Sequence, residues 1–207
     1  MIYKQPSQHI QDLKIDTNID LDTKKSILTC TCKMSSNESH TLQAKLYDPQ
    51  GNIVWNGNMQ DTFEIPVENT SLWSSEYPNL YQLEIVLYDA NNEIIETIQE
   101  QVGFRKFTLE YGIMKLNGKR IVFHGINRHE WNAKTGRAIT YEQMEEDIHM
   151  LKALNINAVR TSHYPNNSYW YKLCDQYGIY VIDEMNLETH GANDIIPQNK
   201  PNGPIVY

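Results

Sequence analysis

Little in these 207 residues suits a membrane or a nucleic acid. No apolar run approaches the roughly 20 residues that cross a bilayer as a helix, and the opening Met1-Ile2-Tyr3-Lys4-Gln5-Pro6 lacks the hydrophobic core of a signal peptide. No membrane partner is expected. Positive charge is short: 18 Lys and Arg against 26 Asp and Glu leave a formal net charge of -8, with a pI near 5.3. The cations are scattered, which leaves no basic face for a phosphate backbone and excludes a nucleic-acid partner. Cysteine is scarce, three in all. Cys30 and Cys32 stand two apart on a strand pattern, so they share a face and cannot readily bridge each other, while Cys174 falls on a helix pattern. An odd count without metal-type spacing fits a reducing compartment, so the cytoplasm is the expected location. All three read as small core side chains.

What is present changes character near Gly103. Before it, apolar residues alternate through Ser26–Met34, Thr41–Tyr47, Tyr81–Tyr88 and Ile94–Ile98, the period of strands with one wet and one dry face. Asp48-Pro49-Gln50-Gly51 and Asp89-Ala90-Asn91-Asn92 carry turn residues at turn positions and read as hairpins. Six or seven short strands in about 90 residues without a helix predict an antiparallel β-sandwich of immunoglobulin type. His9 and His40 sit among polar residues without a second ligand at metal-site spacing. Trp73 could stack on a sugar, but an aromatic in a Pro-containing connection reads as packing.

After Gly103 the pattern is β-α-β-α-β. Ile121 to Ile126 reads as a first strand buried on both faces, with His124 packed inside it. Thr140 with Gln143 three residues on forms a capping box, and Met144, Ile148 and Leu151 share one face of the helix that follows. Asn157 to His163 is a second strand with a polar exit. A second helix starts near Asn167 or Ser168, puts Trp170, Leu173, Cys174 and Tyr177 on one stripe, and stops at Gly178. Ile179 to Ile182 makes the third strand. Parallel units of this kind carry function at the carboxyl ends of their strands, so His129, Arg160, His163, Glu184 and His190 are expected on one rim. The first strand exits into Asn127-Arg128-His129-Glu130 and not into a glycine fingerprint, which disfavours a nucleotide-binding sheet.

The stretch from Asn157-Ala158-Val159-Arg160-Thr161-Ser162-His163-Tyr164-Pro165 through Trp170-Tyr171 and Cys174-Asp175 to Asp183-Glu184 resembles the first signature of glycoside hydrolase family two. With Val102-Gly103-Phe104-Arg105, Leu116-Asn117-Gly118-Lys119, Gly125-Ile126-Asn127-Arg128-His129-Glu130 and Glu188-Thr189-His190-Gly191, it is similar to the large microbial β-galactosidases in particular. The segment from Glu68 through Leu72-Trp73-Ser74 to Leu80-Tyr81 also resembles that family's second domain. The resemblance implies a multidomain fold. An immunoglobulin-like β-sandwich, residues 1–103, is followed by the first three βα units of a (β/α)8 TIM barrel, residues 104–207.

A retaining glycosidase needs two carboxyl groups about 5 Å apart, one attacking the anomeric carbon and one protonating the leaving oxygen. Without the resemblance, Glu184 and Glu188 would be the pair to choose. The resemblance instead places the acid/base in an Asn-Glu motif after a fourth strand and the nucleophile at a seventh, outside this sequence. It carries over His129 and His190 as transition-state contacts to galactosyl hydroxyls, Arg160 as the group that keeps the nucleophile ionised, and Asn127 and His163 as further substrate contacts. The expected partners are a β-galactoside and the rest of the parent polypeptide or a complementing fragment, with homo-oligomers in the parent. No cofactor or metal is assigned to this chain, although magnesium and sodium are implied for the parent, with most ligands elsewhere. The chain is expected to be inactive alone. A non-catalytic carbohydrate-binding or assembly module built on the sandwich is the competing expectation.

Overall fold

The computed structural model describes residues 4–187. They divide into two compact units, one of residues up to Val122 with Asp175–Gly178, the other of Phe123–Cys174 with the residues from Ile179 on.

Seven strands open the first unit: β1 (Ile10–Asp20), β2 (Lys25–Met34), β3 (Thr41–Tyr47), β4 (Ile53–Met59), β5 (Thr62–Val67), β6 (Tyr81–Tyr88) and β7 (Ile94–Val102). They form two antiparallel sheets, in the orders β1-β2-β5 and β4-β3-β6-β7. The period-two pattern decides which side is dry. Leu28, Cys30 and Cys32 of β2 are buried, as are Leu42, Ala44 and Leu46 of β3 and Leu83, Ile85 and Leu87 of β6, and all of these belong to one core. Each fully buried aliphatic side chain contributes about 1.5–3 kcal/mol, so these strands are held by their inward faces. Burial also pushes the Cys30 thiol up to about 12 and that of Cys32 to about 11.

Both expected hairpin turns form, and by the same device. Asp48 accepts from the backbone N–H groups of Gln50 and Asn52, and Asp89 from those of Asn91 and Glu93, at 2.8–2.9 Å. Gly51 and Asn92 take the left-handed conformation that closes each turn, with φ of 86° and 64°. Trp73 is only 2% exposed, with its indole N–H donating to the Asp175 carbonyl at 2.7 Å. It packs, and cannot stack on a sugar. Three short antiparallel strands, β8 (Phe107–Glu110), β9 (Ile113–Leu116) and β10 (Lys119–Arg120), lie between the sequence's change of character at Gly103 and the spatial division after Val122.

After Val122, β11 (Gly125–Arg128), α1 (Tyr141–Ala153), β12 (Ala158–Thr161), α2 (Ser168–Tyr177) and β13 (Tyr180–Ile182) follow one another, with the three strands parallel in the order β11-β12-β13. The expected capping box of α1 is present, Thr140 and Gln143 each accepting from the other's backbone N–H, and Met144, Ile148 and Leu151 are its buried face. Gly178 ends the chain's second helix at φ 72°.

The first strand differs from expectation. It spans Gly125–Arg128, not Ile121 to Ile126, and Ile126 is 42% exposed. β11 is an edge strand of this sheet, so its apolar side chains are covered on fewer sides than the continuous run suggested. His124 is exposed and precedes the strand instead of packing in a core; its backbone N–H donates to Oδ1 of Asn157 at 2.8 Å and its carbonyl accepts from the Asn157 backbone N–H at 3.0 Å. Among the described residues no helix is long and apolar enough to cross a membrane. The helix of a third βα unit would lie outside the described residues, as do Glu188 and His190.

Candidate active site

Register brings the rim together. Asn127 of β11 pairs with Arg160 of β12, which pairs with Ile182 of β13, so these three side chains share one face of the parallel sheet. Glu184 lies two residues beyond Ile182 and reaches the same face. The alternate positions, Arg128, Thr161 and Asp183, turn the other way, toward the helices. One strand end thus supplies both a reactive face and its support.

On the first face Glu184 is the hub. Its Oε1 accepts from Nε of Arg160 at 2.6 Å and lies 2.5 Å from the NH2 of the same guanidinium, while Oε2 lies 3.1 Å from Nδ1 of His163. Arg160 also reaches Oδ1 of Asn127 with NH1, at 3.4 Å. The His163 ring meets the edge of His129, with centroids 5.3 Å apart. Burial alone would raise the Glu184 carboxyl, but hydrogen bonds from Arg160 and His163, reinforced by their charges, hold it below the ordinary carboxylate range.

The opposite face is a support of uncommon polarity. Arg128, 6% exposed, donates to Oδ2 of Asp147 on α1 from Nε at 3.0 Å and NH2 at 2.9 Å, and to Oδ1 of Asn166 at 2.8 Å. Its guanidinium stacks 3.8 Å above the Trp170 ring. Thr161 donates to Oδ1 of Asp183 at 2.8 Å, and Tyr171 donates to the same oxygen at 2.6 Å. Burial, and then that bond to Asp183, push the Tyr171 phenol up to about 12. Glu130 accepts from the Asn167 backbone N–H at 2.7 Å, at the start of α2.

The structure therefore gathers Asn127, His129, Arg160 and His163 at one set of strand ends. His190 lies outside the described residues. Reasoning from sequence set Glu184 aside as a catalytic acid without giving it another role, and its place as the partner of both Arg160 and His163 becomes visible only through the register. The even spacing from Ile182 was the available signal. Among the described residues no group of three or more His, Cys, Asp or Glu side chains gathers as a metal ion requires.

Models of two domains match the chain: one described as glycosyl hydrolases family 2 over residues 8–105, and one as glycosyl hydrolases family 2, TIM barrel domain, over residues 107–203. The chain is 48% identical to a β-galactosidase of Halalkalibacterium halodurans over 198 residues, 92% of this chain and 20% of that relative. It is 44% identical to a β-galactosidase of Clostridium acetobutylicum over 205 residues, 97% of this chain and 23% of the relative. In structure it is similar to apo β-glucuronidase 3 of Bacteroides uniformis, with a TM-score of 0.80 and 27% identity over 87% of this chain and 23% of the other. The chain spans about a fifth of the length of the curated relatives it matches.

Proposed function

Because this chain belongs to family 2 of the glycosyl hydrolases, we propose that it is the part of a retaining β-galactosidase that grips the sugar, in an enzyme hydrolysing terminal β-D-galactosyl residues of lactose type. In this reading the first unit is an immunoglobulin-like sandwich and the second begins a (β/α)8 barrel. The observation that carries it is the meeting of Asn127, His129, Arg160 and His163 at parallel strand ends, in a chain 48% identical to a β-galactosidase.

The proposed chemistry follows from what these groups can do. His129, with His190, hydrogen-bonds galactosyl hydroxyls. Bonds of this kind that tighten as the ring flattens lower the barrier without deepening ground-state binding. Arg160 presents a fixed positive charge that keeps a nucleophilic carboxylate ionised. Asn127 and His163 complete the substrate contacts. The acid/base and the nucleophile come from the remainder of the enzyme, a cytoplasmic homo-oligomer that uses magnesium and sodium held mostly by residues beyond this chain.

Chromogenic β-galactoside and β-glucuronide, offered to the chain alone and to the chain mixed with a polypeptide supplying the rest of the barrel, test the proposal. The expected result is no turnover by the chain alone and galactoside turnover on complementation. His129→Ala should then lower that turnover by roughly 10²–10³-fold, the usual effect of losing one transition-state hydrogen-bonding group. Preference for the glucuronide, or turnover by the chain alone, would overturn it.

A further inference from the structure

Glu184 has two oxygens with different partners, and that division sets the chemistry of His163. An ionised carboxylate only accepts hydrogen bonds, so a neutral imidazole whose Nδ1 lies 3.1 Å from Oε2 must carry its proton there. With the proton on Nε2 instead, two lone pairs would face each other at that distance. The rival arrangement has Arg160 NH2 donating to Nδ1, at 3.4 Å. That contact is longer, and the same NH2 already lies 2.5 Å from Oε1 of Glu184. The shorter, charge-assisted pairing prevails.

The carboxylate is itself held in place. The Glu184 backbone N–H donates to Oγ1 of Thr161 at 2.9 Å, and Thr161 in turn donates to Asp183, which Tyr171 also fixes. Among the described residues, the His163 ring also packs edge-to-face with His129, with centroids 5.3 Å apart.

We infer that Glu184 is a positioning residue that holds His163 as the Nδ1–H tautomer, so that Nε2 meets the sugar as a hydrogen-bond acceptor and the hydroxyl it contacts must donate. This rests on the glycosidase reading only for the ligand being a sugar. The tautomer is set within the chain, because the hydrogen bond made by one ring nitrogen decides the state of the other.

Nitrogen NMR of the 207-residue chain carrying ¹⁵N-histidine tests it, at a pH about two units above the ordinary histidine value so that imidazoles are neutral. The His163 signals are identified by their loss in His163→Gln. In the unsubstituted chain Nδ1 should be the protonated, pyrrole-type nitrogen and Nε2 the bare, pyridine-type one. In Glu184→Gln the amide oxygen must turn to Arg160, which can only donate, and the amide NH2 then faces His163. Nδ1 becomes the acceptor and the two nitrogen signals exchange type. A pyrrole-type Nε2 in the unsubstituted chain, or an unchanged tautomer in Glu184→Gln, overturns the inference. If the variant does not fold, the unsubstituted spectrum decides alone. None of these spectra depends on galactoside turnover, so failure of the β-galactosidase reading and failure of this inference show up in different experiments.

Discussion

Replacing Arg128 with Met should destabilise the second unit by about 2.5–6 kcal/mol, and the structure says where that comes from. Methionine fills much of the same volume but donates nothing. Asn166, 9% exposed, would lose the donor at 2.8 Å from its Oδ1, and a buried acceptor left unpaired costs about 1–3 kcal/mol. The stack on Trp170 at 3.8 Å, in a site closed to water, adds about 1–2 kcal/mol. The two bonds to Asp147 add less, about 0.5–1 kcal/mol, because that side chain is 44% exposed and water can replace its partner. Asp147→Asn should therefore cost under about 1 kcal/mol. Urea denaturation followed by tryptophan fluorescence reads both, since Trp170 lies directly beneath the guanidinium. At an m-value of about 2–3 kcal/mol/M, Arg128→Met should lower the midpoint by about 1–3 M and Asp147→Asn by much less. Equal shifts in the two variants would refute the reasoning, because they would make the ion pair, and not the buried acceptor and the stack, the source of the stability.

Two glycines should separate backbone strain from crowding. Gly51→Ala, at φ 86° with nothing within 4 Å of the new methyl, should cost about 1–2 kcal/mol. Gly178→Ala, at φ 72° with its Cβ 2.3 Å from the Ser75 carbonyl oxygen, should cost about 1–3 kcal/mol more. Thermal melts showing the same loss for both would contradict this. Acid should release the turn at Asp48, whose carboxyl is held below its ordinary value by the Asn52 side chain and then, against desolvation, by the backbone N–H groups of Asn52, Gln50 and Gly51. A depressed folded value means that its contribution is complete above the unfolded value of about 3.9 and disappears as pH falls through the folded one. The stability gap between the natural chain and Asp48→Asn should thus be constant near neutrality and close below about pH 4. A gap that persists unchanged into strong acid would be inconsistent with it.

Much of the architecture was legible because its signals are short in range. The alternation in β2, β3 and β6, the aspartates at positions 48 and 89, the Thr140–Gln143 box and Gly178 each act within a few residues of themselves. The first parallel strand departs from its local pattern for a related reason. Ile121 to Ile126 is apolar enough for a doubly covered strand, but coverage depends on what packs against it, and no local pattern reports that. His124, inside that apolar run, is exposed for the same reason.

At the rim, the residues themselves announced that polar, reactive side chains close each strand of a parallel unit. The pairing register alone then chose which of those side chains touch. Moving β13 by one residue against β12 would send Glu184 to the helix side and leave Arg160 and His163 without their shared acceptor, since strand side chains alternate faces. Chain order thus determined the strands, helices, turns and the set of candidate groups. Tertiary structure decided that Arg128 is a buried support and that Glu184 governs its neighbours, because both facts depend on distances between segments separated by some twenty to forty residues.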